Sequence, residues 1–218
     1  MKELVKKIGD NTDKHSIAHQ FRARRFAFFL SLLNKLPRPI SILDIGGTLA
    51  FWDAMEFREP DVEITLLNLS AEPVNRAGFR SIQGDATALS FTDKSFDIVF
   101  SNSVIEHLYD TRSQEKMAGE VRRVGRHYFI QTPNYWFPME PHWLFPFFQF
   151  LPVTMRVFLT RHFALGHIKK IRNKTAAEKQ VSEIKLLTRA EMEMLFPEAG
   201  IHSEKFLGLT KSFVAYRF

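Results

Sequence analysis

Four short stretches of this chain carry residue types that can grip a small polar ligand, and a fifth group can move a proton. The first stretch is Asp44-Ile45-Gly46-Gly47-Thr48. Glycine there lets backbone approach a ligand with no Cβ in the way, and Asp44 adds an acceptor. The second is Asn68 with its neighbour Leu69, the third Gly84-Asp85-Ala86, and the fourth Ser101-Asn102-Ser103. Amide and carboxylate groups of this kind supply the donors and acceptors that a small polar ligand needs. The proton-transfer candidates are Glu106 and His107, then Glu140 and His142 further along. An imidazole with an ordinary pKa of about 6.5 exchanges protons near neutrality. Ser101 and Ser103 lie outside any Gly-x-Ser-x-Gly elbow, which argues against a hydrolase triad. No histidine or carboxylate spacing has the form of a metal site, so no metal is expected.

Each ligand-gripping stretch follows an apolar run, and those runs must be the strands that position it. "ISILDI" reads as a strand, "FWDAMEF" as a short helix and "VEITLLN" as a second strand. "GFRSIQ" is a third strand and "SFDIVFSN" a fourth. "RSQEKMAGEVRRV" is helical and "RHYFIQT" is a fifth strand. "TRAEMEMLFPEA" is a helix with Thr188 and Glu191 spaced as a capping box. "IHSEKFL" and "KSFVAYRF" close the chain as a hairpin turning at Gly208. The link "LSAEPVNRA" leaves room for a helical turn or two at most. This alternation predicts an α/β fold: a mostly parallel sheet with helices on both faces and an antiparallel last strand. In such sheets ligands sit beyond the carboxyl ends of the strands, where strand order reverses. The four stretches all fall at that edge.

Residues 14–36 form an amphipathic pattern with Ile17, Phe21, Phe28, Leu32 and Leu36 on one face. Arg22, Arg24, Arg25 and Lys35 are expected on a solvated flank. Residues 1–39 therefore read as an N-terminal helical extension and 40–218 as the main domain. Between the fifth strand and the last helix lies an insertion, 133–175, rich in aromatics and proline at its start and basic at its end. Its place after strand five lets it roof the site. It can wall a pocket for an apolar ligand, pack its aromatics as a lid, or form a protein interface. It can also lie on a membrane through 143–174, with Arg156, Arg161, Lys169, Lys170, Arg172 and Lys174 toward anionic headgroups.

The chain has 218 residues, enough for one domain with an insertion. The absence of cysteine excludes disulfides and thiolate metal ligands. The first 16 residues lack the apolar core of a signal peptide. No apolar run reaches the roughly 20 residues of a bilayer span. The expectation is a cytoplasmic protein, membrane-associated if the insertion docks on lipid. A net charge of +6 and a pI near 9.6 favour anionic partners. No appended RNA-binding module accompanies the charge, and nucleic acid is not expected.

"GDATALSFTDKSFDIVFSNSVIEHLYD", residues 84–110, resembles the class I S-adenosylmethionine-dependent methyltransferases, in particular the branch acting on small molecules and quinones. Shared features are the acid-Ala pair, Leu-x-Phe, Ser-Phe-Asp, an apolar strand and Glu-His. The likeness runs over about 40–131 and resumes at 184–218. It implies a Rossmann-like sheet of seven strands and S-adenosylmethionine as cofactor. It also implies transfer of a methyl group to a small or lipid-linked acceptor. By the same resemblance Asp85 and Ala86 would meet the adenine and Gly46 and Gly47 the methionine part and ribose. Asp44 and the carbonyls near Ser101 and Asn102 would face the ammonium. Thr48 opens the next helix, where the family's loop has more glycine. Asn68 stands where the family has an acid for the ribose hydroxyls, so binding should weaken. Two other readings stay open: a non-catalytic binding protein of the same fold, and a nucleic-acid methyltransferase. A nicotinamide-dependent dehydrogenase fits least, because the G-x-G-x-x-G spacing is absent.

Overall fold

The computed structural model describes residues 16–218. The reading of the N-terminal segment as leaderless, and the start of its helix at 14, lie outside those residues. The first element is α1 (Ile17–Leu33), capped by Ser16, whose hydroxyl accepts from the His19 amide at 2.9 Å. It is followed by β1 (Ile40–Ile45), α2 (Leu49–Ala54), β2 (Val62–Asn68), β3 (Phe79–Gln83) and β4 (Phe96–Asn102). A 3-10 turn, Ile105–His107, leads to α3 (Thr111–Val124) and β5 (Gly125–Pro133). The insertion contributes the hairpin β6 (Met139–Glu140) and β7 (Phe145–Pro146), then α4 (Val153–His162) and α5 (Lys174–Ser182). The chain closes with α6 (Arg189–Leu195), β8 (Gly200–Phe206) and β9 (Leu209–Arg217).

The main sheet has seven strands in the order β3-β2-β1-β4-β5-β9-β8. Neighbours among β1 to β5 pair in parallel, and β9 runs antiparallel to both β5 and β8. The order reverses beside β1, which pairs with β2 on one side and β4 on the other. Side chains that alternate along each strand bury on opposite faces. Ile40 and Ile42 of β1 join a core with Phe26, Phe29, Leu32 and Leu33 of α1 and Trp52 of α2. Leu43 and Ile45 face the other way, onto Met117 and Val121 of α3 and Met192 of α6. Both faces of the parallel strands are thereby covered, as such strands require.

Three details depart from the sequence pattern. Helix α2 begins at Leu49, ahead of Phe51, because Thr48 caps it: its hydroxyl accepts from the Phe51 amide at 3.3 Å. The β2–β3 link contains no helix; it is an irregular segment holding Pro73. The insertion continues past residue 175 through α5, because Ala177 and Val181 complete a small core with Trp143, Phe148 and Val157. A parallel bridge between Asn134 and Leu187 closes its base against the main sheet. The capping box at α6 is formed in full by Thr188 and Glu191. Among the described residues no helix is long and apolar enough to cross a membrane.

Candidate functional site

The loop after β1 is shaped by what surrounds its two glycines. Gly46 has φ +72, a left-handed conformation that side chains rarely adopt, and a Cβ there would collide with the Val104 side chain. A Cβ on Gly47 would fall inside the Asp44 carboxyl. Asp44 is itself buried and accepts from the Trp52 indole N–H at 2.7 Å. Burial pushes its carboxyl up to about 8, and the indole bond opposes that rise. Asn68, at the end of β2, donates through Nδ2 to the Gly47 carbonyl at 2.9 Å. An acid could not make this bond, which gives a structural reason for an amide at that position. The Gly84 amide in turn donates to the Asn68 carbonyl at 2.9 Å, so the first three ligand-gripping stretches are linked in series.

This loop borders a cavity of about 200 Å³ lined by Asp44, Gly46, Gly47, Thr48, Phe51, Phe100 and Asn102. The remaining wall is Arg22 of α1. Burial, then the charge of Arg25, holds the Arg22 guanidinium below its ordinary range. Arg25 lies one helical turn on and is buried. Its Nε and Nη2 donate to the two carboxylate oxygens of Glu204 at 3.0 and 2.6 Å. Its Nη1 donates to Gln131 Oε1 at 3.0 Å and also to Asn102 Oδ1. Glu204 also accepts from Ser212. Burial alone would raise the Glu204 carboxyl, but the Arg25 charge and hydrogen bonds outweigh it and the group titrates below its ordinary range. Asn102, a cavity wall, is thus clamped from behind by a buried ion pair.

The other expected ligand residues are not part of this cavity's lining. Asp85 is exposed and caps its own turn, accepting from the Thr87 amide and hydroxyl, both at 2.8 Å. Ala86 is buried beside it, and Leu69 is 78% exposed. Ser101 is fully buried and its hydroxyl donates to the Ile45 carbonyl at 3.2 Å, so that hydroxyl ties β4 to β1 and is not offered to a ligand.

The proton-transfer candidates do come together. Glu140 is buried and accepts from the His142 and Trp143 amides at 2.8 and 2.7 Å. Its second oxygen meets His142 Nδ1 at 2.7 Å. Ring desolvation works against the His142 imidazolium, but the Glu140 bond and the Glu140 and Glu106 charges prevail, and His142 titrates above its ordinary range. The His107 and His142 rings meet edge-on with centroids 4.9 Å apart. His107 is exposed as a residue; local desolvation, then the neighbouring His142 charge, lower its titration to about 4, against the pull of Glu140. Glu106 is fully buried and accepts from the Thr132 hydroxyl at 3.0 Å. Burial pushes its carboxyl up to about 7, opposed first by His142.

The insertion frames a second cavity of about 480 Å³ against α6 and the turn after β4. Tyr109, Tyr135, Trp143, Phe148, Ile184 and Leu186 give it apolar walls. Glu140, Gln149, Arg156 and Lys185 add polar groups. The Gln149 Oε1 and Arg156 Nε atoms are buried with no hydrogen-bond partner among the described residues. Arg156, which the membrane reading of the insertion would turn toward headgroups, lines this cavity. Arg22 and Arg25, expected on a solvated flank, are instead a wall of the smaller cavity and a buried donor to Asn102. The signal was present: Arg25 falls four residues after Phe21 and four before Phe29, squarely on the apolar stripe.

Comparison with known proteins fits this geometry. Residues 43–127 match the family model described as a methyltransferase domain. A curated Mycobacterium tuberculosis protein, itself uncharacterised, is 28% identical over 137 residues, which are 57% of this chain and 46% of that protein. The chain thus spans about half the length of the curated relatives it matches. A Pyrococcus horikoshii protein of known structure superposes with a TM-score of 0.54 at 17% identity, covering 99% of this chain and 98% of that one. A SAM-dependent methyltransferase from Aquifex aeolicus gives 0.51 at 12% identity, covering 99% and 97%. At such identities the structures establish a shared fold. The family match supports S-adenosylmethionine as the cofactor.

Proposed function

We propose that this chain, whose residues 43–127 form a class I S-adenosylmethionine-dependent methyltransferase domain, transfers a methyl group to an apolar, lipid-like acceptor that carries a polar group. When bound, the cofactor supplies a methyl already activated on a sulfonium. The observation that carries the reading is the cavity at Gly46-Gly47, with a carboxyl, Asp44, and a guanidinium, Arg22, in its walls. An amino-acid head group presents the complementary ammonium and carboxylate. The glycines keep the loop low enough for that head group to approach. Asn68 Oδ1 remains an acceptor for a ribose hydroxyl while its Nδ2 holds the loop. Asp85 and Ala86, beyond the end of β3, are the adenine contacts. The arrangement binds and orients; proximity of this kind contributes at most about 7–11 kcal/mol to a displacement reaction.

The acceptor enters through the insertion. Its cavity is walled by aromatic and aliphatic side chains and reaches Glu140, which fixes the His142 ring. Glu140 bonds His142, which lies with His107 and Glu106, and this group is where an acceptor would lose a proton. Trp136, Phe147, Val153, Met155 and Phe158 are each at least half exposed on the same segment, which suits a protein that collects its acceptor at a membrane surface. Incubation with tritium-methyl-labelled cofactor and a cell extract, followed by solvent partition, tests this. The label should enter the organic phase. Label confined to aqueous small molecules or to nucleic acid would reject the acceptor class. Co-sedimentation with anionic vesicles should be lost when Trp136 and Phe147 are changed to Ser, and its absence in the parent would remove the membrane role.

A further inference from the structure

We infer that Glu106, His107 and His142 form a binding site for one divalent transition-metal ion of the zinc class. One ligand atom from each residue lies within 4.8 Å of the others, in a group of three drawn from the turn after β4 and from the insertion. Zinc takes imidazole nitrogen and carboxylate oxygen at about 2.0–2.2 Å, and the His107 ring stands against that of His142 with centroids 4.9 Å apart.

Two further observations point to a ligand. Glu106 is completely buried, with Oε2 anchored by Thr132 at 3.0 Å, yet its Oε1 has no hydrogen-bond partner among the described residues. A buried carboxylate oxygen left empty is costly, and folded proteins rarely keep one without use. The second is Glu140. It holds His142 by Nδ1 at 2.7 Å and is itself fixed by two backbone amides, which among the described residues leaves Nε2 as the ring nitrogen open to a ligand. A carboxylate behind a histidine is the usual outer support of a metal ligand, setting its tautomer and raising its basicity.

The donor set selects the metal. Two imidazoles and one carboxylate favour zinc and its neighbours, whereas magnesium and calcium call for oxygen ligands. Three protein ligands leave a coordination position open, as in catalytic rather than structural sites. Val104, two residues before Glu106, packs over Gly46, while Glu140 lines the large cavity. At the open position an acceptor oxygen would coordinate. That last step rests on the proposed function; metal binding does not. Sequence spacing does not reveal the site, because Glu106 and His107 share the turn after β4 while His142 comes from the insertion.

The test is calorimetric titration of untagged, chelator-treated protein with Zn²⁺ in the absence of S-adenosylmethionine. One ion per chain should bind, and Mg²⁺ should give no heat. Glu140→Gln should weaken zinc by about 10–100-fold, as loss of an outer support does. His107→Ala, at an exposed position that leaves the fold intact, and Glu106→Gln should weaken it further. Co²⁺ should give visible absorption bands that His107→Ala abolishes. Failure to bind zinc, or binding unchanged in His107→Ala and Glu106→Gln, overturns the inference. Zinc bound without methyl transfer would instead count against the proposed function alone.

Discussion

Replacing Arg25 with Met tests whether the N-terminal helix is part of the site's machinery. The change removes two hydrogen bonds to Glu204 and one to Gln131 in a buried setting, and one to the part-buried Asn102. It leaves the Glu204 carboxylate with Ser212 and with Lys211 nearby. Removing one partner of a buried ion pair costs about 3–5 kcal/mol. Lys211 tempers the loss. Its amine sits 4.6 Å over the Phe21 ring and is held down to about 8 by burial and then by Arg25. At about 8 it is already mostly charged at neutral pH and stays beside Glu204 when Arg25 is gone, so the lower end of that range is expected. For a domain of this size each kcal/mol shifts Tm by about 2–4 °C, giving a drop of roughly 6–12 °C. Urea denaturation of parent, Arg25→Met, Glu204→Gln and the double variant supplies the cycle. The double variant should recover at least half the loss, because no buried charge is then stranded. Arg25→Met within about 1 kcal/mol of the parent, as surface pairs behave, would refute the claim that this pair is a buried clamp on Asn102.

Two other outcomes follow from the same site and fold. Asp44 has a folded pKa of about 8, above its unfolded value. Its contribution to stability is therefore whole below about pH 4 and is lost as pH rises through about 8. Parent protein should lose urea resistance between about pH 5 and 8, and Asp44→Asn should lose less. A cation beside Asp44 favours the carboxylate, so affinity for S-adenosylmethionine should rise over the same interval in the parent and stay low and flat in the variant. At α6, Thr188→Ala removes the hydroxyl half of a complete capping box and should cost about 0.5–2 kcal/mol by urea denaturation, with no change in cofactor affinity.

Local rules made much of the fold legible. Apolar runs such as Ile40–Ile45 and Phe96–Asn102 bury on both faces, and only central strands of a covered sheet do that. Thr188 and Glu191 act within one helical turn, so their spacing sufficed. The β1 loop was readable because a glycine's purpose there is steric and local. Long-range pairings were not readable. Arg25 meets Glu204 across 179 residues and Asn102 across 77, and neither partner has a sequence pattern that names it. Glu140 and His142 were singled out together, but not the carboxylate–imidazole bond between them or their approach to His107. Asn68 looked like a weakened ribose ligand; its role as a donor to Gly47 depends on a loop position that no propensity encodes.

The most direct test of the central claim is calorimetry with S-adenosylhomocysteine and, separately, adenosine, on parent and Arg22→Gln. The account places Arg22 and Asp44 at the amino-acid head group and the nucleoside elsewhere, along Asn68 and Asp85. Arg22→Gln should weaken S-adenosylhomocysteine by about tenfold or more, the loss of roughly 1.4 kcal/mol or more expected for a charge-assisted hydrogen bond, and leave adenosine unchanged. Folded parent protein that binds neither ligand, or a variant that loses both equally, would contradict it.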